Sequence, residues 1–212
     1  MSIKRTMLFF ILVGLFGCGP KYIQSSLPAE VEKHSVQDVG LIPLIVEPSK
    51  TGEIRSGVVE DDGARIITEQ FYNNLLKRNV NVVRWTGQAP LPLAGETAPV
   101  SDLQRAEQIG KILKTSTVLF GTVSTYMERD GTAYAISRPA SVGITVQLIH
   151  AEDGHLLWQA SYNETQKSLF ADISAYRLFF RRGSRWLTAS ELSEDAVEQL
   201  MEASPWVQRK PN

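Results

Sequence analysis

The stretch SVGITVQLIH-AEDG-HLLWQASYNET, residues 141–165, decides the fold of this chain. Its first arm carries an apolar residue at every second position from Val142 to Leu148, which is the period of a half-buried strand. Between the arms, Gly154 supplies the residue that a tight turn with positive φ needs. The stretch therefore predicts a hairpin of two strands, Ser141–His150 and His155–Thr165.

The segments around this hairpin predict helices and strands in alternation. Apolar residues recur every three or four positions in three segments, which indicates amphipathic helices, and short runs of branched residues indicate strands. Three helices are predicted. The first is Asp61–Arg78, the second opens with a capping box at Ser101 and Gln104, and the third is Ala189–Ala203 behind a capping box at Thr188 and Glu191. The other predicted strands are Val39–Val46, Val80–Trp85 and Thr117–Arg129. The order β-α-β-α-β-β-β-α predicts an α/β fold, a single two-layer sandwich with one mixed sheet. We expect one domain over residues 39–205 and a tail at 206–212.

The amino terminus has the layout of a secretory signal peptide. Lys4 and Arg5 precede an apolar run of about ten residues, and small Gly17 stands just before Cys18. A transmembrane helix is the alternative, but it needs about 20 apolar residues and this run is shorter. The sequence therefore predicts a signal peptide at residues 1–17.

The tetrapeptide Leu15-Phe16-Gly17-Cys18 resembles the lipobox of bacterial lipoproteins, with a bulkier residue than usual at Phe16. The resemblance implies cleavage between Gly17 and Cys18 and lipidation of the Cys18 sulfur. The polar residues 18–38 are then expected to tether the domain to the lipid. Lipoproteins held at the inner membrane resemble one another in having Asp after the cysteine, so Gly19 implies the periplasmic face of the outer membrane.

Composition and charge exclude several classes of site. The 212 residues hold 22 Lys and Arg against 23 Asp and Glu, a net charge of −1, so no basic field predicts nucleic-acid binding. Cys18 is the single cysteine, which excludes an intrachain disulfide and a thiolate metal site. The 195 residues that remain after residue 17 are enough for one sizeable core.

Motifs of catalysis are missing from the sequence. It has no G-x-S-x-G elbow, no H-E-x-x-H pair, no phosphate loop and no dinucleotide fingerprint. The carboxylates of Asp172, Glu191, Glu194 and Asp195 are spread along polar segments, and nothing pairs them as an acid and a base. We therefore expect a protein without enzymatic activity, cofactor or metal.

Two polar clusters have a functional and a structural interpretation. His150 and His155 flank the hairpin turn and could bind a metal across it, but solvated turn residues are the simpler interpretation. The run Glu60-Asp61-Asp62 could hold a cation, but carboxylates at a helix N-terminus explain it equally well through the helix dipole. The structural interpretation is favoured for both.

The run YRLFFRRGSRW, residues 176–186, mixes four arginines with four aromatic residues. These residue types are enriched at the centres of protein interfaces, and such a run also suits an anionic membrane surface. A core-docking segment with outward arginines is the alternative. The predicted partner-binding residues are Arg177, Phe179, Phe180, Arg181, Arg182, Arg185 and Trp186. The Pro- and Gly-containing loop Thr86–Val100 is a second candidate contact.

Binding of a small molecule or a glycan is the alternative function. It would use a pocket at the sheet edge lined by Tyr126, Tyr134 and Trp158. A core position on an alternating strand is the simpler interpretation of Trp158.

Three segments, Val39–Leu44, Leu119–Val123 and Asp153–Trp158, resemble those of bacterial envelope lipoproteins with the TolB amino-terminal-like α/β fold. That group includes the curli-secretion lipoproteins and the lipoprotein activators of penicillin-binding proteins. The resemblance implies a scaffolding or regulatory role in the envelope, exerted through protein–protein contact, with the membrane reached through the lipid anchor. A homo-oligomer is left open.

Overall fold

The computed structural model describes residues 23–26, 36, 38–46, 59–60, 62–87, 102–167 and 185–204. The elements in these ranges are β1 (Ile23–Ser26), β2 (Asp38–Leu41), β3 (Ile45–Val46), α1 (Gly63–Lys77), β4 (Asn81–Arg84), α2 (Asp102–Leu113), β5 (Thr117–Met127), β6 (Asp130–Gly131), β7 (Ile136–Arg138), β8 (Ser141–His150), β9 (Leu156–Thr165) and α3 (Ala189–Glu202). All of them lie in one compact unit.

One open, mixed sheet organises the described elements. Its strand order is β1-β9-β8-β5-β2-β4, and β3 also pairs with β5. Strand β2 runs parallel to β4 and β5, whereas β5, β8, β9 and β1 form an antiparallel series. The predicted α/β class and mixed sheet are confirmed.

The hairpin β8–β9 has the register that the sequence predicts. Its pairing runs from Ser141 opposite Thr165 to Ile149 opposite Leu156, with one irregularity beside Leu148. The turn closes by a 2.9 Å hydrogen bond from the His150 amide to the His155 carbonyl. Gly154 has a φ of 68°, the left-handed conformation that glycine adopts at low cost.

Helices α1 and α3 cover one face of the sheet and enclose the main core. Phe71 of α1, Leu192 of α3 and Trp158 of β9 are fully or almost fully buried in this cluster. The apolar positions of β8 point into it, which explains their alternation. Trp158 is 0% exposed, so its interpretation as a core residue is confirmed.

Helix α2 lies on the opposite face, and this corrects the predicted two-layer sandwich. Its Ile109 packs with Val118 of β5 in a separate cluster, while the neighbouring Leu119 faces the main core. Glycine permits the close approach: a Cβ on Gly40 of β2 would lie 2.7 Å from Thr115 Oγ1. Amphipathic period alone identifies the buried stripe of α2 but not the sheet face that receives it.

Three local features differ from what the sequence pattern predicts. Residues 23–26, within the predicted tether, form strand β1. Their mostly polar side chains lack the apolar alternation that predicts a strand. The predicted strand Val39–Val46 is two strands, separated at Pro43, which lacks the N–H for a ladder bond. Asp130-Gly131, a residue pair typical of turns, instead pairs with β7 in a small ribbon.

Several predicted features lie outside the described residues. They are the signal peptide, Gly17 and Cys18, residues 88–100 of the predicted contact loop, Ser101, and residues 168–184. Where the structure does describe a predicted cap, at Thr188 and Glu191, both capping-box hydrogen bonds are present. Among the described helices, none has the length and apolar character to cross a membrane.

Candidate functional site

The described end of the predicted partner-binding segment, Arg185 and Trp186, is attached to the start of α3. The Arg185 guanidinium makes two hydrogen bonds, of 2.9 and 2.6 Å, to the Glu191 carboxylate. Glu191 also accepts from the Thr188 amide as part of the capping box. These hydrogen bonds, the Arg185 pair above all, lower the pKa of Glu191 to about 2. The guanidinium of Arg185 is therefore engaged within the chain.

The backbone of this segment is held by a second set of contacts. Gln166 donates from Nε2 to the Arg185 carbonyl at 3.0 Å, and its Oε1 accepts from the Leu187 amide at 2.8 Å. The Trp186 amide donates to the Ala133 carbonyl at 2.8 Å, and its carbonyl accepts from Arg129. These hydrogen bonds hold the backbone of Arg185 and Trp186 against the rest of the described unit. The other five predicted partner-binding residues lie outside the described residues.

A single carboxylate links the two hairpin histidines. Asp153 Oδ1 lies 2.8 Å from His150 Nδ1 and accepts from the His155 amide at 3.1 Å. His155 Nε2 lies 3.9 Å from Asp153 Oδ2. Across the described ranges, no three His, Cys, Asp or Glu side chains form a group that could hold a metal ion. The arrangement closes the turn.

The described part of the acidic run is paired with arginines. Asp62 accepts two hydrogen bonds from Arg65, of 3.2 and 2.9 Å, which lower the pKa of Asp62. Glu60 lies 4.0 Å from Arg138, and Asp61 lies outside the described residues. This geometry matches the helix-terminus interpretation.

The predicted ligand pocket of Tyr126, Tyr134 and Trp158 is wrong, because these side chains have unrelated environments. Tyr126 is 5% exposed and packs so closely on Gly63 that a Cβ there would lie 2.6 Å from the ring. Trp158 is in the core and donates from Nε1 to Ser25 Oγ at 3.1 Å. Tyr134 is 82% exposed.

A shallow cavity of about 530 Å³ lies at the C-terminal end of α2. Its lining carries opposite charges, with carboxylates from Asp38, Glu107 and Glu152 and ammonium groups from Lys111 and Lys114. Glu107 and Lys111 pair at 2.6 Å, and Asp38 accepts from the Ser116 amide at 3.0 Å. The Glu107–Lys111 pair neutralises part of the charge within the lining itself.

A different polar surface lies on the α2 side of the sheet and extends from β5 and β8, which α2 also contacts, to β9 and β1. Cross-strand pairing aligns four side chains in one row across β5, β8, β9 and β1: Thr122, Thr145, Ser161 and Gln24. A second row runs beside it: Phe120, Gln147, Gln159 and Ser26. Paired residues point to the same side. We call these eight positions the uncharged face, because none carries a charge.

The uncharged face is partly accessible to solvent, and most of its side chains make no side-chain hydrogen bond within the described part of the chain. Its members on β5, β8 and β9 are half-buried, and those on β1 are exposed. Gln147 donates to Gln159 at 3.3 Å; in the described part of the chain, no other side-chain hydrogen bond involves the two rows. No sequence motif predicted this surface. The available signal was that the outward positions of the two hairpin arms are polar without charge. They are Thr145 and Gln147 on the first arm and Gln159 and Ser161 on the second.

Solved structures match this chain at low sequence identity. The structure of the PelC dodecamer from Paraburkholderia phytofirmans matches with a TM-score of 0.53 at 13% identity, covering 85% of this chain and 94% of that one. Lipoprotein GNA1162 from Neisseria meningitidis gives 0.40 at 16% identity, covering 69% and 96%. The LpoB C-terminal domain from Salmonella enterica gives 0.35 at 16% identity, covering 64% and 93%.

Sequence comparison adds nothing to these structural matches. No family model matches the chain, and no curated protein matches it. The likeness to PelC, at 13% identity, therefore shows a shared fold and no more than the fold.

Proposed function

We propose that this protein is a lipid-anchored protein of the bacterial envelope that acts by binding other proteins, including copies of itself, and not by catalysis. The observation that carries the proposal is the fold shared with PelC over 85% of the chain, since that relative was solved as a dodecamer. The lipobox-like tetrapeptide ending at Cys18 is the basis for the proposed location in the envelope.

The chemistry of the described residues supports a binding role. The ionisable side chains that could suggest catalysis are engaged in structural pairs: Asp153 with His150, Asp62 with Arg65, and Glu191 with Arg185. Each of these pairs closes a turn or a helix end. A catalytic acid or base instead has to face a substrate within hydrogen-bond reach.

The lipid anchor is proposed at Cys18, on the periplasmic face of the outer membrane. Burial of acyl chains contributes about 0.8 kcal/mol per methylene, so two or more chains give stable attachment. The test is processing of Cys18→Ser in cells labelled with palmitate. We expect an unprocessed or soluble, unlabelled protein; a variant that is cleaved and membrane-bound as before would contradict the anchor.

Self-assembly is the second part of the proposal. Because the sheet is open, β1 and β4 form its edges in the described part of the chain, and head-to-tail contacts between two unlike surfaces close rings. The mass of the detergent-purified full chain should be that of a closed oligomer, measured by light scattering over a hundredfold range of concentration. A monomer throughout that range would contradict self-assembly and leave the anchor untouched.

The proposed contact surface for other proteins is loop 86–100 together with segment 176–186. The backbone of Trp186 is held by the hydrogen bonds described above. We therefore expect its replacement to remove a contact side chain without unfolding the protein. The variant Arg181→Ala/Arg182→Ala/Trp186→Ala should lose partners in a crosslinking pull-down from native membranes. Arg65→Ala, which removes another exposed arginine, is the control. An unchanged set of partners with a normal melting temperature would contradict this surface.

A further inference from the structure

We propose that the uncharged face is a binding surface for a neutral glycan. The proposal rests on the side chains of this face and not on the lipid anchor or on self-assembly, so it can fail while the proposed function stands. Its occupant is a polymer or oligomer of uncharged sugars, whose exposed groups are hydroxyls.

The hydrogen-bonding chemistry of the face suits such a ligand. A Ser or Thr hydroxyl both donates and accepts, and a Gln side chain offers an oxygen acceptor and two donors. Thr122, Thr145 and Ser161 stand side by side in one row without a side-chain hydrogen bond in the described part of the chain. Sugar hydroxyls also donate and accept, so each can pair with this row in either sense.

The charge pattern selects against ionic ligands. Lys, Arg, Asp and Glu make up 21% of the chain, yet all eight positions of the uncharged face lack them. A polyanion or an anionic lipid surface needs Lys or Arg for affinity, and a polycation needs carboxylates. Neither ionic ligand meets a side chain of opposite charge on the uncharged face, whereas a neutral polyol needs no charged side chain to bind.

The composition also disfavours a protein as the occupant. The centre of a protein interface is built on aromatic, Met and Arg anchors. The uncharged face has one aromatic side chain, Phe120, and it packs towards the α2 cluster at the margin of the face. A protein laid over the hydroxyl row would bury polar groups that need partners, at a cost for each one left unpaired.

The dimensions fit a short extended ligand. The rows cross four adjacent strands, which lie ~4.8 Å apart, so each row is about 14 Å long. The two rows are separated by two residues along the strands, or about 7 Å. An oligosaccharide lying across the strands would follow one row and reach the amides of Gln147 and Gln159 in the other.

The test is titration of the full chain, purified in detergent, with hexasaccharides followed by intrinsic fluorescence or calorimetry. Cellohexaose, maltohexaose and N-acetyl-chitohexaose are the neutral probes; a chitosan hexamer and an alginate hexamer are the charged ones. We expect at least one neutral probe to bind and both charged probes to be weaker. Absence of binding by all three neutral probes, or preferential binding of a charged probe, would overturn the proposal.

Variants place the binding on the face. Thr122→Val/Thr145→Val/Ser161→Ala removes the hydroxyl row with side chains of similar size that remain compatible with strands. The neutral probe should then bind at least about fivefold more weakly, since each hydrogen bond contributes a modest net free energy. Asn73→Ala/Gln108→Ala, two exposed polar positions elsewhere, is the control and should bind as the wild type does. Equal affinity of the two variants would refute this location.

A second measurement avoids reliance on folded variants. Amide chemical shifts of the wild-type protein, recorded during the same titration, should move in β8, β9 and β1 and stay fixed in α1 and α3. Movement confined to other elements would refute the uncharged face as the site.

Discussion

The ion pair between Arg185 and Glu191 makes a quantitative prediction about stability and pH. Glu191→Gln keeps an acceptor for the capping box, because Gln serves at this position, but it removes the charge that pairs with Arg185. The change therefore isolates the ion pair from the cap. Glu194→Gln, an exposed carboxylate on the same helix, is the matched control.

The magnitude follows from the pKa of Glu191, which falls from 4.5 to about 2 in the folded protein. Such a difference corresponds to about 3 kcal/mol if it is fully expressed. The two side chains are 37% and 38% exposed, however, and solvent screens exposed pairs strongly. We therefore expect Glu191→Gln to lower the free energy of unfolding at pH 7 by about 1–2 kcal/mol, or Tm by about 2–8 °C.

The pH dependence has a definite sign. Because the folded-state pKa of Glu191 is lowered, the stabilisation is complete above the unfolded-state pKa near 4.5 and is lost as the pH falls towards 2. Urea unfolding of wild type and Glu191→Gln should thus differ at pH 7 and converge near pH 2. Equal midpoints for Glu191→Gln and Glu194→Gln at pH 7, or a gap that persists unchanged at pH 2, would refute the role assigned to this pair.

Three further predictions concern core packing and one hydrogen bond. Trp158→Ala should lower the free energy of unfolding by about 3–5 kcal/mol, because it empties a fully buried site; a loss below about 1 kcal/mol in urea unfolding would contradict the core placement. Ser25→Ala should cost about 1 kcal/mol through the lost acceptor of Trp158, and a neutral result would argue against the position of β1. Gly110→Ala should destabilise by about 1–3 kcal/mol despite a better helix propensity, because the new methyl meets that of Ala151. Adding Ala151→Gly should recover part of that loss, and a double variant no more stable than Gly110→Ala would contradict the contact between α2 and the hairpin turn.

Local patterns predicted the parts of the fold that depend on neighbours in sequence. The alternation around Val146 defines β8, because successive strand residues face opposite sides. The capping box of Thr188 and Glu191 marks the start of α3, because both of its hydrogen bonds span three residues.

The candidate sites were less predictable. Tyr126, Tyr134 and Trp158 are each plausible as binding residues, but their sequence positions do not place them together. The uncharged face joins Thr122, Thr145 and Ser161 only through the pairing of three strands. A row that runs across strands has no counterpart in the order of residues along the chain.

By itself, the sequence determined the hairpin and the helix positions, since each depends on spacing within a short segment, and it contains the lipobox-like tetrapeptide ending at Cys18. Only the tertiary structure decided that residues 23–26 join the sheet through β9 and that α2 covers the face opposite α1 and α3. Both outcomes depend on contacts between residues far apart in the chain, such as Gly110 against Ala151. An amphipathic period states how much surface an element must bury but not which surface will cover it.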